Sequence, residues 1–247
     1  MGRYDGKTVL ITGGTSGIGL VTAELLIDRG ARVMVTGRNK TTLDAAAEAL
    51  GPAAVAVRSD ATVLTDIDAL AERVRNEFGA LDVLFANAGI TRFRPFEDMD
   101  EATYDEVFTV NTKGPYFTVQ RMAPLIRAGG AVVLTTSIVN IKGQPMISAY
   151  SASKAALRSL TRSLARELLP HDIRVNAVSP GPIDTDILAH TLGPEAAEQT
   201  KATMRANNPM QRFGRPRELA EAVAYLAFDA TYTTGSELAV DGGASQL

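Results

Sequence analysis

The chain has 247 residues, of which 45% are hydrophobic and 21% charged, with a formal net charge of −3, two histidines and no cysteine. That length suits one large α/β domain or two small ones. The charge balance excludes the basic footprint of a nucleic-acid binder, and the cysteine count excludes disulfides, thiol catalysis and a Cys/His zinc centre. No apolar run reaches the roughly 18 residues of a membrane span. Met1 to Asp5 lead directly into a strand pattern without the apolar core of a signal peptide. The expectation is a cytoplasmic chain with no resident metal and neither nucleic-acid nor membrane partners.

Short β-branched runs alternate with longer amphipathic segments. Strands are predicted at Thr8–Thr12, Arg32–Thr36, Ala53–Arg58, Val83–Ala86, Ala131–Thr136, Arg174–Ser179 and Glu237–Val240. Apolar positions recur at helical spacing in Ile18–Leu26, Leu64–Phe78 and Leu157–Leu169. Continuous apolar strands separated by helices read as βαβ units in a parallel sheet covered on both faces. The predicted fold is therefore α/β, a doubly wound Rossmann-type sheet of about seven parallel strands in a single domain over residues 1–247. The long excursion between Pro180 and Pro216 contains no predicted strand. It follows the C-terminal end of a strand, so residues 184–213 are expected to form a substrate lid.

The first strand runs into Gly13-Gly14-Thr15-Ser16-Gly17-Ile18-Gly19, with a helix beyond. Glycines there let the backbone turn tightly and approach a pyrophosphate, and the helix N-terminus offers unpaired N–H groups to it. Gly13, Thr15, Ser16, Gly17, Ile18 and Gly19 are thus candidate dinucleotide-binding residues. No Lys-Ser/Thr pair follows the last glycine, which excludes a nucleoside-triphosphate P-loop.

An NAD-specific site carries an acid about 20 residues beyond such a loop. Here Gly37 occupies that slot and Arg38 follows. An arginine can grip a 2′-phosphate with two charge-assisted bonds, so NADP(H) is expected over NAD(H). Stacking on adenine, or a solvent-facing Arg38, is the alternative.

Tyr150 and Lys154, at i and i+4, share one face of a predicted helix. A free tyrosine has a pKa near 10 and is a poor acid or base at neutral pH; a neighbouring ammonium should lower it. Ser137 ends a predicted strand and can donate to a substrate oxygen.

In that company the chain resembles the compact, single-domain short-chain dehydrogenase/reductase family, from the first strand to the last. The loop Thr12 to Gly19 is similar to the family's cofactor loop. Asp60, with Ala61 beside it, matches the acid near the adenine. Asn87-Ala88-Gly89 is close to the Asn-Asn-Ala-Gly signature, with Ala86 in place of the first asparagine. Asn111 matches the helical asparagine whose distorted backbone holds a relay water. Pro180-Gly181-Pro182-Ile183 and Thr185 resemble the stretch at the nicotinamide amide.

The resemblance implies that Asn111, Ser137, Tyr150 and Lys154 form the catalytic set, with Tyr150 as general acid/base. Lys154 would bind the nicotinamide ribose. It also implies a homotetramer pairing through helices near Thr103–Arg127 and Ala149–Leu169 and through the last helix and strand. The partner expected is a small-molecule ketone or alcohol.

For the substrate pocket the candidates are Ile138, Val139, Asn140, Gln144, Ile187, Leu188 and Met204. Their mostly apolar character suits a hydrophobic ketone or secondary alcohol. His171 and His190 are read as incidental. Ile90-Thr91-Arg92 resembles the 3-oxoacyl-(acyl-carrier-protein) reductase branch, an alternative. A non-catalytic dinucleotide-binding sensor is the alternative of another class; such sensors typically lose the tyrosine or lysine, and both are present here.

Overall fold

The computed structural model describes residues 2–185 and 193–247. Seven strands form one parallel sheet in the order β3-β2-β1-β4-β5-β6-β7. They are β1 (Thr8–Thr12), β2 (Arg32–Gly37), β3 (Ala54–Arg58), β4 (Leu81–Ala86), β5 (Ile126–Thr135), β6 (Arg174–Pro180) and β7 (Glu237–Val240). The described helices are α1 (Gly17–Asp28), α2 (Lys40–Leu50), α3 (Leu64–Phe78), α4 (Glu101–Phe108), α5 (Gly114–Met122), α6 (Ser148–Leu168), α7 (Pro194–Ala206) and α8 (Pro216–Ala224).

β1 shows why the strands read as unbroken apolar runs. Its side chains alternate between two buried layers. Val9 and Ile11 belong to the core that includes Ala23, Leu25 and Leu26 of α1 and Leu219, Ala220 and Val223 of α8. Leu10, registered between Met34 and Leu84, belongs to the other core, with Val74 of α3, Val119 and Met122 of α5 and Leu164 of α6. Burying one such Leu or Ile stabilises by roughly 1.5–3 kcal/mol. A polar residue on either face would therefore break the strand.

Several element boundaries differ from the sequence expectation. β3 starts at Ala54 because Gly51–Ala53, with Pro52 in it, closes a 3₁₀ turn. β4 starts at Leu81, two residues early, because the charge of Asp82 is satisfied within the sheet: it accepts from the Thr8 amide (2.9 Å), Lys7 Nζ (2.9 Å) and Arg127 Nη1 (2.7 Å). β5 starts at Ile126, five residues ahead of the predicted Ala131. Ile126 pairs with Leu81, and an irregularity in register separates that pair from Ala131↔Val83.

The long helix expected near Thr103–Arg127 is two helices joined by a π-helical turn at Thr109–Lys113. Pro115 supplies the reason: it has no N–H to give the Asn111 carbonyl at the regular i→i+4 spacing. Between β6 and β7 the chain forms α7 and α8, and Ile183 makes an isolated parallel bridge to Gly214.

Strand order reverses between β1 and β4. At such a switch point the connections leave toward opposite faces and open a crevice at the C-terminal strand ends.

Candidate active site

The glycine loop lies in that crevice. Gly13 has φ +63°, and a Cβ there would stand 2.9 Å from Ala88 Cα. A Cβ on Gly19 would stand 2.2 Å from the Gly13 carbonyl oxygen, so the first turn of α1 rests directly on the loop backbone. Ser16, the N-cap of α1, makes no side-chain cap bond, which leaves the helix's first amides to an anion. Asn87 joins three strands: its Nδ2 donates to Thr12 O and Gly13 O, and its Oδ1 accepts from Thr135 Oγ1. These bonds stay complete with Ala86, buried in the core, in place of a second asparagine.

Gly13, Thr15, Ser16, Gly17, Ile18, Asn87, Ala88, Gly89, Pro180, Gly181, Ile183 and Thr185 all line one cleft of about 400 Å³, together with Ser137, Tyr150 and Lys154. A nicotinamide dinucleotide fits this cradle: glycine backbone for the pyrophosphate, an uncapped helix start behind it, and a hydroxyl and an ammonium at the far end.

The catalytic candidates converge from three elements. Ser137 follows β5 and caps the 3₁₀ turn Ile138–Asn140, while Tyr150 and Lys154 come from the first turns of α6. Lys154 is 3% exposed, and its Nζ donates to Thr135 O at 2.8 Å. Burial lowers its pKa to about 8. Nζ stands 5.7 Å from the Tyr150 ring centre. Asn111 is fully buried in the π turn. Its Oδ1 accepts from Ile90 N (2.8 Å), and its Nδ2 donates to Ile90 O (2.9 Å) and Ser153 Oγ (3.1 Å). Asn111 Oδ1 and Lys154 Nζ would both lie 3.3 Å from a Cβ on Gly89, so the two groups meet beside that glycine.

One electrostatic expectation is corrected. Tyr150 has a raised pKa, not a lowered one: burial raises it, and the hydrogen bond with Ser137 offsets this only in part. The ammonium that was to lower it is fixed on the Thr135 carbonyl instead.

Four predicted cofactor residues lie outside the cleft wall. Gly19 supports the loop from behind. Arg38 is half exposed, with Nη1 3.8 Å from Asp60 Oδ2. Asp60 Oδ1 accepts from Thr62 N and Thr62 Oγ1; these bonds, with the positive charges of Arg38 and Arg58, hold its pKa below the usual value against its desolvation. The Ala61 carbonyl lies against Gly114 at the start of α5. Gly37 has a steric explanation: a Cβ there would stand 2.6 Å from Thr15 Cγ2, so the slot has no room for an acid unless Thr15 moves.

Beyond Ser137 and Tyr150 opens a second cavity of about 730 Å³, which shares Ser137, Tyr150, Pro180 and Gly181 with the first. Of the predicted pocket residues, Ile138, Val139, Gln144 and Met204 line it. Asn140 does not: its Nδ2 turns to Glu237 Oε1 at 2.5 Å, drawn to a carboxylate that also pairs with Arg158 at 2.9 Å. Ile187, Leu188 and His190 lie outside the described residues. Missed by sequence reasoning were Thr91, Phe93, Lys142, Ile147, Asn207 and Ala244. No spacing pattern marks them as one wall, although Thr91 adjoins the Asn87–Gly89 signature, Lys142 and Ile147 lie between Ser137 and Tyr150, and Ala244 lies just past the C-terminal end of β7.

Comparison with known proteins agrees with this geometry. A family model described as enoyl-(acyl carrier protein) reductase matches residues 13–245. The chain is 42% identical to the oxidoreductase asL5 of Sarocladium schorii, across 99% of this chain and 98% of that one. It is 41% identical to cis-4-hydroxycyclohexanecarboxylate dehydrogenase of Sinomonas cyclohexanicum, across 96% of each chain. A crystal structure of a short-chain dehydrogenase/reductase from Brucella melitensis, described as a glucose/ribitol dehydrogenase, superposes with a TM-score of 0.93 at 30% identity, covering 100% of this chain and 99% of that one. This chain belongs to the short-chain dehydrogenase/reductase family and is an oxidoreductase of alcohol and carbonyl groups that uses a nicotinamide dinucleotide.

Proposed function

We propose that the protein is an NADP(H)-preferring carbonyl reductase and secondary-alcohol dehydrogenase, a single domain whose segment 184–213 acts as the substrate lid. One observation carries the reading: Ser137 and Tyr150 form the wall between a glycine-floored cleft and a larger, mainly apolar cavity. A group held in one cleft can then react with a carbon held in the other, at the point where a proton donor stands.

Bound NADP(H) supplies or accepts the hydride at the substrate carbon. Tyr150 Oη gives a proton to the carbonyl oxygen in reduction and takes the alcohol proton in oxidation. Ser137 Oγ holds that oxygen in place. Lys154, reaching the same cleft, binds the nicotinamide ribose hydroxyls. Asn111 keeps its side chain engaged with Ile90, and its carbonyl, denied a helical donor by Pro115, anchors the water that resupplies the proton. Arg38 receives the 2′-phosphate, with Asp60 and Ala61 beside the adenine. Ile183 and Thr185 flank the nicotinamide, and Ile138, Val139 and Met204 contact the substrate body. The related dehydrogenase named for a ring-borne secondary alcohol supports a cyclic ketone as substrate. A homotetramer pairing through α4–α5 and α6 accompanies this reading. Half-exposed Tyr104 and Tyr116 on the first pair support it, and light scattering tests it.

A relative from Thermotoga maritima described as 3-oxoacyl-(acyl-carrier-protein) reductase, 36% identical, favours one second reading, reduction of a 3-oxoacyl group carried on an acidic carrier protein. Arg92 speaks against it, since both its Nε (2.9 Å) and Nη2 (2.6 Å) already bind Glu106.

The test is loss of NADPH or NADH with a panel of cyclic ketones and acetoacetyl thioester, beside Tyr150→Phe. Ketone turnover with NADPH that falls by about 10²–10⁴ in the variant supports the reading. Turnover of the thioester alone selects the second. Cofactor binding without any turnover points to a sensor.

A further inference from the structure

The described wall of the larger cavity is mostly apolar, with Phe93, Ile138, Val139, Ile147 and Met204 on it. Among the described lining residues Lys142 is the one side chain that carries charge, and no carboxylate accompanies it. Its backbone amide donates to Ile138 O at 3.1 Å, which fixes where the residue leaves the 3₁₀ turn after Ser137. Its Nζ donates to Ala244 O at 2.9 Å, joining the loop to the segment after β7. An ammonium has three donors, so two remain after this bond. Among the described residues no acid pairs with it.

Lys142 is exposed, so its ammonium stands at the open side of a mostly apolar cavity, where it can select the ligand that enters. A carboxylate entering such a space without a partner forfeits part of its hydration. Two free N–H donors on a fixed ammonium return charge-assisted bonds, stronger than neutral ones. A neutral ligand leaves those two donors to water. We infer that Lys142 recognises a carboxylate on the substrate, which is therefore a ketone or secondary alcohol on an apolar frame bearing a carboxylate. This inference rests on the oxidoreductase reading above for the reactive group, but the anion site stands on Lys142 and the cavity.

The competing role for Lys142 is purely structural, as a tie between the loop and Ala244. Three substitutions separate the two. Lys142→Gln removes the charge but keeps a donor for Ala244 O, Lys142→Met removes both, and Lys142→Arg keeps both. The first readout is the ratio of kcat/KM for 4-oxocyclohexanecarboxylate to that for cyclohexanone. The second is calorimetric binding of cyclohexanecarboxylate against cyclohexanecarboxamide, neither of which has a ketone to reduce.

Lys142→Gln and Lys142→Met should each lower the ratio about tenfold, through KM more than kcat, and weaken carboxylate binding by a similar factor. Lys142→Arg should restore most of both. A ratio and a binding preference that stay constant across all variants overturn the inference and leave Lys142 as a tie. If neither ketone is reduced, the oxidoreductase reading needs another substrate, while calorimetry still decides the anion site: Lys142-dependent carboxylate binding supports it, and equal binding in Lys142→Gln overturns it.

Discussion

Lys154 donates to the main-chain oxygen of Thr135, 2.8 Å away, at the residue of β5 that pairs with Val178 of β6. The ammonium is thus held by the sheet and not by the tyrosine one helical turn before it. Being buried as well, it has a pKa lowered from 10.5 to about 8.

That shift sets a stability window. Between about pH 8 and pH 10.5 the unfolded chain keeps a proton that the folded chain has shed, so stability rises with pH across this window. Below about pH 8 the buried charge costs its full amount, on the order of 3 kcal/mol. Urea melts of the protein and of Lys154→Met, from pH 7.5 to 10, should show the parent gaining on the variant as pH rises. Parallel curves would mean that Lys154 titrates normally.

Tyr150 carries the opposite consequence. Burial raises its pKa above the ordinary phenol value of 10.0, which keeps the neutral, proton-donating form in place at neutral pH. Ketone reduction should therefore be level through neutral pH and fall only on a strongly alkaline limb. Alcohol oxidation needs the phenolate, so its kcat should climb with pH over the same range. Identical profiles in the two directions would remove Tyr150 from the proton-transfer role.

Arg38 and Gly37 make cofactor choice testable as a pair. Losing a charge-assisted bond to a phosphate costs about 1.5–3 kcal/mol, so Arg38→Ala should lower kcat/KM for NADPH roughly 10- to 100-fold, and that for NADH far less. Gly37→Asp should fail to create NADH preference by itself, because its Cβ would stand 2.6 Å from Thr15 Cγ2. Combined with Thr15→Ala, which removes that methyl, it should succeed. An equal loss for both cofactors in Arg38→Ala would assign the arginine to adenine stacking.

Asn111→Ala strands the Ile90 N–H and carbonyl, both bonded by the Asn111 side chain. Each partly buried group left without a partner costs up to about 1–3 kcal/mol, so urea melts should show the variant less stable by up to about 2–6 kcal/mol. Pro115→Ala is the complement. It returns an N–H to the helix ladder, and it should raise stability while lowering kcat if the π turn serves the proton path.

The strands were legible because the sheet is parallel and covered on both faces. Val9, Leu10 and Ile11 have no polar side to show, and such runs stand out against amphipathic helices. The candidate site was legible where glycine, tyrosine and lysine sit at fixed offsets from strand ends, as in Gly13 to Gly19 and Tyr150 to Lys154. The break in the long helix was less visible, though Pro115 records its cause: a missing N–H matters only once the helix on either side of it is known. Asn140 was misread because its position in the loop after Ser137 says nothing about Glu237, nearly a hundred residues away along the chain.

Local chemistry and periodicity along the chain determined the fold class and the glycine loop and singled out the candidates for proton transfer, since each depends on neighbours within a few positions. Tertiary structure decided the rest. The C-terminal edge of the sheet brings Thr135 to Lys154, burial lowers the pKa of Lys154 and raises that of Tyr150, and Thr15 closes the slot at Gly37. It also decided that Phe93, Lys142 and Ala244 share one cavity wall. Burial and through-space distance have no signature in spacing, because desolvation and Coulomb interaction depend on what surrounds a group in three dimensions and not on its place in the chain.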